Sequence, residues 1–241
     1  MPEIARPLLM FAGQMPPADT PLFIADGIAE PAVPSRIAEA VEGVVCFTPG
    51  TVLETPDGLK PVEQLVAGDR VVTKDSGAQP ILWAGSRNVS GARLYAMPDL
   101  RPVRIREGAL GSDRPNGDLI VSPDHRMLVT GAAAETLWGE SEVLVAARDL
   151  IDGAAIARDL AAKSVTYHHL MLEQHHVVVA NGVETESFHP GAAALESVEE
   201  DQRLRLYDVM PELEDDTSHY GPSSRRSLST AEAALLKVSA A

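Results

Sequence analysis

Between residues 44 and 190 the chain alternates short apolar runs with clusters of turn residues, and few stretches repeat at helical spacing. "TVLETPDGLKPVEQL" (51–65) places two short strands around Pro56-Asp57-Gly58, a hairpin-type turn. "GDRVVTKDSGAQPILWAGSRNV" (68–89) repeats the pattern with turn chemistry at Asp75-Ser76-Gly77. "RPVRIREGAL", "GDLIVSPDHRMLVTG" and "SEVLVAARDLIDG" continue it, and "VTYHHLMLEQHHVVVANGVETESF" (165–188) closes it with a hairpin at Asn181-Gly182. Turns this frequent predict an all-β domain of short strands and hairpins.

The flanks read differently. Residues 1–43 are rich in Pro and Ala without a sustained period, which predicts a leader or linker; "PSRIAEAVEGV" is its one helix-like fragment, capped by Ser35. From 191 to 241 the chain is acidic, then Ser-rich, then "STAEAALLKVSA", which predicts a tail part helical and part disordered spacer. The expected division is therefore 1–43, 44–190 and 191–241.

Composition narrows the function. Aromatic residues are 4% of the chain, so its core must rest on Val, Leu, Ile and Ala. A formal charge of −15 argues against a nucleic-acid partner, because no positive field offsets phosphate repulsion. No apolar run is long enough for a membrane span. The opening "MPEIARPLLMFAGQMPPADT" lacks the basic stretch and cleavage site of a secretory signal, so cytoplasmic folding is the default. Read as an uncleaved secretion signal, "STAEAALLKVSAA" would instead give non-classical export.

One cysteine stands in 241 residues, in "VVCFTPGT" (44–51), so no internal disulfide is possible. Val44, Val45 and Phe47 suit a core strand, and a buried structural thiol is the plain alternative to a reactive one. A reactive thiol needs a partner that moves protons. "SPDHRMLV" offers His125 after a strand and a turn, with Ser122 three residues earlier to hydrogen-bond the imidazole or an amide. The pairs His168-His169 and His175-His176 raise zinc, but strand alternation sends the members of a pair to opposite faces and supplies no clear third ligand. Neither a metal nor a cofactor is expected.

Four motifs in order resemble the Hint domain of hedgehog proteins and inteins, most closely its bacterial hedgehog/intein-type group. They are "CFTPGTVLETPDGLKPVEQLVAGDRV" with its opening cysteine, "VSPDHRMLV" with Ser122 and His125 in a Thr-x-x-His block, "VLVAARDLIDG", and "YHHLMLEQHHVVVANGVETES". The resemblance implies a compact, horseshoe-like β fold. It also implies self-processing: Cys46 attacks the Val45 carbonyl, an N-to-S acyl shift that breaks the Val45–Cys46 bond once per chain and leaves a thioester. In this scheme His125 protonates the departing nitrogen, Ser122 supports the scissile peptide, and His176 assists proton transfer. The substrate is the protein's own N-terminal segment, and water or an external nucleophile resolves the thioester.

Departures from the family pattern shape the expectation. Splicing inteins end in His-Asn, where this chain has Glu186-Ser187, and neither side chain can cyclise as that Asn does. Splicing is therefore not expected. Asp99 falls in the region of the hedgehog residue that activates a sterol, with nothing nearby fixing its register, and Val45 crowds its own carbonyl. Two further readings stay open: a non-cleaving binding or structural module, and a hydrolase using Cys46 and His125 on a separate substrate.

Overall fold

The register of the β-rich region is set by turns whose backbones need glycine or asparagine. A computed structural model describes residues 45–191, 194, 195 and 198–239, without the side chains of 237–239. The leader expected over 1–43, with its helix-like fragment, lies outside the described residues. Strands β1 (Val52–Thr55) and β2 (Gly58–Pro61) pair from Thr55↔Gly58 outward, leaving Pro56-Asp57 as a two-residue loop. β3 (Arg70–Thr73) and β4 (Gly77–Pro80) close around Lys74-Asp75-Ser76, with Gly77 at φ 64°.

The chain continues through β5 (Trp83–Val89), β6 (Val103–Ile105), β7 (Leu119–Val121), β8 (Arg126–Thr130) and β9 (Glu142–Ala146). It then forms β10 (Ile156–Arg158), β11 (Val165–Met171), β12 (Val177–Ala180) and β13 (Val183–Glu186). The β12–β13 turn holds Asn181 at φ 47° and Gly182 at φ 74°, the left-handed pair that a tight hairpin of natural twist requires. Asn181 also ties the turn down, its Oδ1 accepting from the Val52 amide at 2.8 Å and its Nδ2 donating to the Asp118 carbonyl at 3.1 Å.

The largest sheet runs β14 (Arg226–Ser227), β9, β8, β13, β12, β1, β2, with β3 also on β12 and β4 on β3. A three-stranded sheet runs β10–β6–β7, and β11 pairs with β5 as a long antiparallel ribbon. Phe47 forms single bridges to Val121 of β7 and to His168 of β11. One residue therefore stitches sheet to ribbon, and it lies next to the lone cysteine. The main core gathers Phe47, Leu53, Val71, Ile105, Val121 and Leu172 with their neighbours. It is aliphatic, as the composition requires.

The tail is part helical, as expected, and departs from the expectation in its spacer. Its acidic part is helical, over Glu200–Val209 and Glu212–Asp215. The Ser-rich stretch expected as a disordered spacer contains β14, which pairs in parallel with β9. Arg225 secures that stretch through Glu142 (2.7 Å) and Asp75 (2.8 Å). Local composition predicted a polar linker, and these two ion pairs with the sheet edge hold it in place instead.

Candidate functional site

Cys46 is fully buried, in a small cluster with Val89, Leu94, Val165 and Tyr167. Its backbone N–H donates to Ser122 Oγ at 3.0 Å, and the Ser122 N–H returns to the Cys46 carbonyl at 3.0 Å. The sequence pairing of Cys46 with Ser122 is thus a direct contact. Burial pushes the thiol well above its ordinary pKa, against smaller opposing effects of the Ser122 hydroxyl and the Arg87 charge. The resting sulfur is a thiol.

The imidazole that meets this sulfur is His169. Its Nδ1 lies 3.1 Å from the Val45 carbonyl oxygen and 3.4 Å from Cys46 Sγ, and its Nε2 lies 3.7 Å from the same sulfur. A carbonyl oxygen only accepts, so Nδ1 carries the hydrogen and Nε2 keeps its lone pair. One ring thereby donates to the carbonyl and lies against the thiol. Burial holds this histidine down at a pKa of about 4, partly offset by its bond to Val45, so the ring is neutral at neutral pH. Trp83 stacks over it at 6.0 Å and Phe188 meets it edge-on at 5.1 Å.

His125 has another partner. Its ring lies edge-on to Phe47 with centroids 4.5 Å apart, and no hydrogen bond joins it to Cys46 or Val45 among the described residues. Its Nε2 sits 2.5 Å from Thr185 Oγ1, and that hydroxyl gives its single hydrogen to the Arg126 carbonyl at 2.8 Å. The hydroxyl oxygen must therefore accept from Nε2–H, which leaves the lone pair on Nδ1. That Nδ1 is buried and has no hydrogen-bond partner among the described residues. Burial again sets the pKa at about 4. Thr185 fixes the tautomer, a role no local motif advertised.

His176 does not reach this centre. It is half-buried, and among the described residues its hydrogen bonds are made by its backbone, which exchanges with Ser187. Its neighbour His175 is the inward member of the pair. His175 Nδ1 accepts from the Ser224 amide at 3.0 Å, so Nε2–H faces the Ser187 carbonyl (3.1 Å) and Glu186 (3.3 Å). Glu186 is fully buried and also accepts from the Arg126 amide at 2.8 Å and from its guanidinium. Burial alone would raise this carboxyl, but the His175 bond and the Arg126 charge outweigh it and hold it below its ordinary range. The Glu-Ser pair is thus part of a structural network.

Strand parity was the overlooked signal for His169. Val165, Tyr167, His169 and Met171 alternate inward along β11, while Thr166 and His168 are only half-buried. Beside Ser122 a recess of about 20 Å³, lined also by Arg87, Leu100, Asp124 and Tyr167 among others, has room for about one water. Asp99 lies at its rim, its carboxylate 95% exposed and 3.0 Å from Arg158. Among the described residues no group of three His, Cys, Asp or Glu is placed to hold a metal ion, and no helix is long and apolar enough to cross a membrane.

A family model described as the Hint domain matches residues 45–192, more than half of the chain. The chain belongs to the Hint domain family. No curated protein matches it. Among solved structures, this Hint domain is similar to a bacterial intein-like domain from Clostridium thermocellum at 15% identity and a TM-score of 0.42, covering 61% of this chain and 100% of that one. It is also similar to the MchDnaB-1 intein, at 12% identity and a TM-score of 0.37, over 59% of this chain and 99% of the other. The gp41-1 intein gives 12% and 0.35, over 58% and 96%. The Hint match begins at Val45 and ends before the helical tail.

Proposed function

We propose that this Hint domain cleaves its own Val45–Cys46 bond by an N-to-S acyl shift, without splicing, and that water or a small external nucleophile resolves the thioester. The observation that carries this reading is the single imidazole of His169, which lies within 3.1 Å of the Val45 oxygen and 3.4 Å of the Cys46 sulfur. Sulfur attacks the Val45 carbonyl carbon through a five-membered ring, and proximity of this kind lowers barriers by up to about 7–11 kcal/mol when orientation is good. The thiol proton passes to His169 Nε2 while Nδ1–H steadies the oxygen as it gains charge. Ser122 holds the amide nitrogen. The proton taken from the thiol is the one that nitrogen needs to leave, and His125 Nδ1, a bare lone pair at rest, relays it. The C–N bond then breaks and a thioester remains.

The roles of Cys46, Ser122 and His125 are those the family pattern suggested; His169 is added, and His176 is not assigned one. Absence of a cyclisable side chain at 186–187 argues for a tail that stays attached.

Intact mass after expression, with and without dithiothreitol, tests the reading. The parent chain is expected to give fragments 1–45 and 46–241, and Cys46→Ala, His125→Ala and His169→Gln to stay whole. A parent that remains whole under prolonged thiol treatment would sink it. The non-cleaving module has one observation in its favour, a sulfur with no exposed surface. That same burial weighs against a hydrolase acting on separate substrates.

A further inference from the structure

The residue before the scissile bond shares a buried apolar cluster with a part of the chain that the family match does not include. Val45 is 3% exposed and belongs to a buried cluster with Trp83, Met171 and Phe188. The other six buried members of that cluster, among them Val198, Leu206, Leu213 and Tyr220, all lie beyond residue 192. Polar contacts also tie the tail to the strands around this cluster. Trp83 Nε1 donates to the Gln202 carbonyl at 3.2 Å, Glu199 meets Arg87 at 3.4 Å, and the Tyr220 hydroxyl donates to the Leu172 carbonyl at 3.0 Å. The same Trp83 and Phe188 flank His169, the imidazole on the Val45 oxygen.

We propose that carboxyl-terminal residues 194, 195 and 198–220 form an acyl-side clamp: they complete the apolar surroundings of the side chain at position 45 and so decide which residue can precede the scissile bond. The cluster around Val45 is apolar and buried, which suits an aliphatic residue. A charge there would be stranded away from water, and a much larger side chain would have to displace packed neighbours. The clamp answers the crowding at Val45: a β-branched residue is accepted because a dedicated surface holds its carbonyl against His169. This inference rests on the self-cleavage reading for its effect on rate, but the clamp itself is testable without chemistry.

The first arm uses the Cys46→Ala chain, which cannot react, with a site-specific protease sequence inserted between Gly191 and Ala194. After folding and cutting, retention of the carboxyl-terminal piece is measured by gel filtration over a dilution series. Val45→Ile is expected to hold the piece within about threefold of the parent, and Val45→Asp to weaken retention at least about tenfold. Equal retention in all three would overturn the clamp. The second arm follows cleavage of uncut, full-length Cys46 chains under dithiothreitol with Val, Ile, Trp or Asp at position 45. Val and Ile are expected to react at similar rates and Trp and Asp at least about tenfold more slowly. Cleavage that ignores the identity of residue 45 would overturn the selection. If no chain cleaves, the self-processing reading fails, and the first arm still decides the clamp.

Discussion

Two buried histidines make this fold sensitive to mild acid. His125 and His169 both have folded pKa values of about 4, set first by burial, against about 6.5 in an unfolded chain. Below pH 6.5 the unfolded chain takes up protons that the folded one refuses. Stability is therefore full above pH 6.5 and falls as pH drops from 6.5 towards 4. Between pH 7 and pH 5 each histidine removes about 2 kcal/mol, so the pair removes about 4 kcal/mol. Burial also depresses His168, His176 and His189, which adds loss of the same sign. Carboxylates are almost silent in this window because their unfolded values lie near 4. The assay is urea unfolding of the Cys46→Ala chain at pH 7 and pH 5, beside the same chain carrying His125→Gln and His169→Gln. The parent should lose about 4 kcal/mol more than the double variant over that interval. Equal losses would refute both the buried, neutral imidazoles and the proton roles built on them.

Thr185→Val should leave the fold intact at a cost of about 1–3 kcal/mol, since it strands His125 Nε2–H, while slowing cleavage by about a factor of 100 through loss of tautomer control; far-UV dichroism and intact-mass time courses separate the two effects. Gly182→Ala places a methyl 2.8 Å from Asn116 Nδ2 at φ 74°, and should lower the urea-derived stability by about 1–2 kcal/mol.

Much of the architecture was readable because it depends on local turn chemistry. Asn181-Gly182 and Pro56-Asp57-Gly58 announce hairpins through backbone conformations that few other residues adopt, and both hairpins form. Cys46 and Ser122 were readable because they stand at fixed places in ordered motifs, and their contact follows. His169 was hidden by its neighbour. Two adjacent histidines look alike in sequence, and only the inward parity of Val165, Tyr167 and Met171 separates them. His176 stands apart for a related reason: the inward residue of its pair is His175, which joins the network around Glu186. The helices of the tail are legible, but its docking is not, for a different cause. Its anchors Leu206, Leu213 and Tyr220 fall in three separate short elements, too sparse to register as an apolar stripe. Its strand β14 is two residues long and is held by Arg225, whose partners Asp75 and Glu142 are distant in sequence.

Phe47 is paired on both sides, its N–H and carbonyl each engaging His168 at 2.9 and 2.8 Å while its other edge bridges Val121. A new amino terminus created at position 46 would therefore be moored next to the acyl group it had just surrendered. Recapture is intramolecular and needs no diffusion, so the opening step of the proposed chemistry would behave as a reversible toggle. Its direction would be governed by how fast the acyl fragment is drained away, and a thiol added from outside would act as a ratchet.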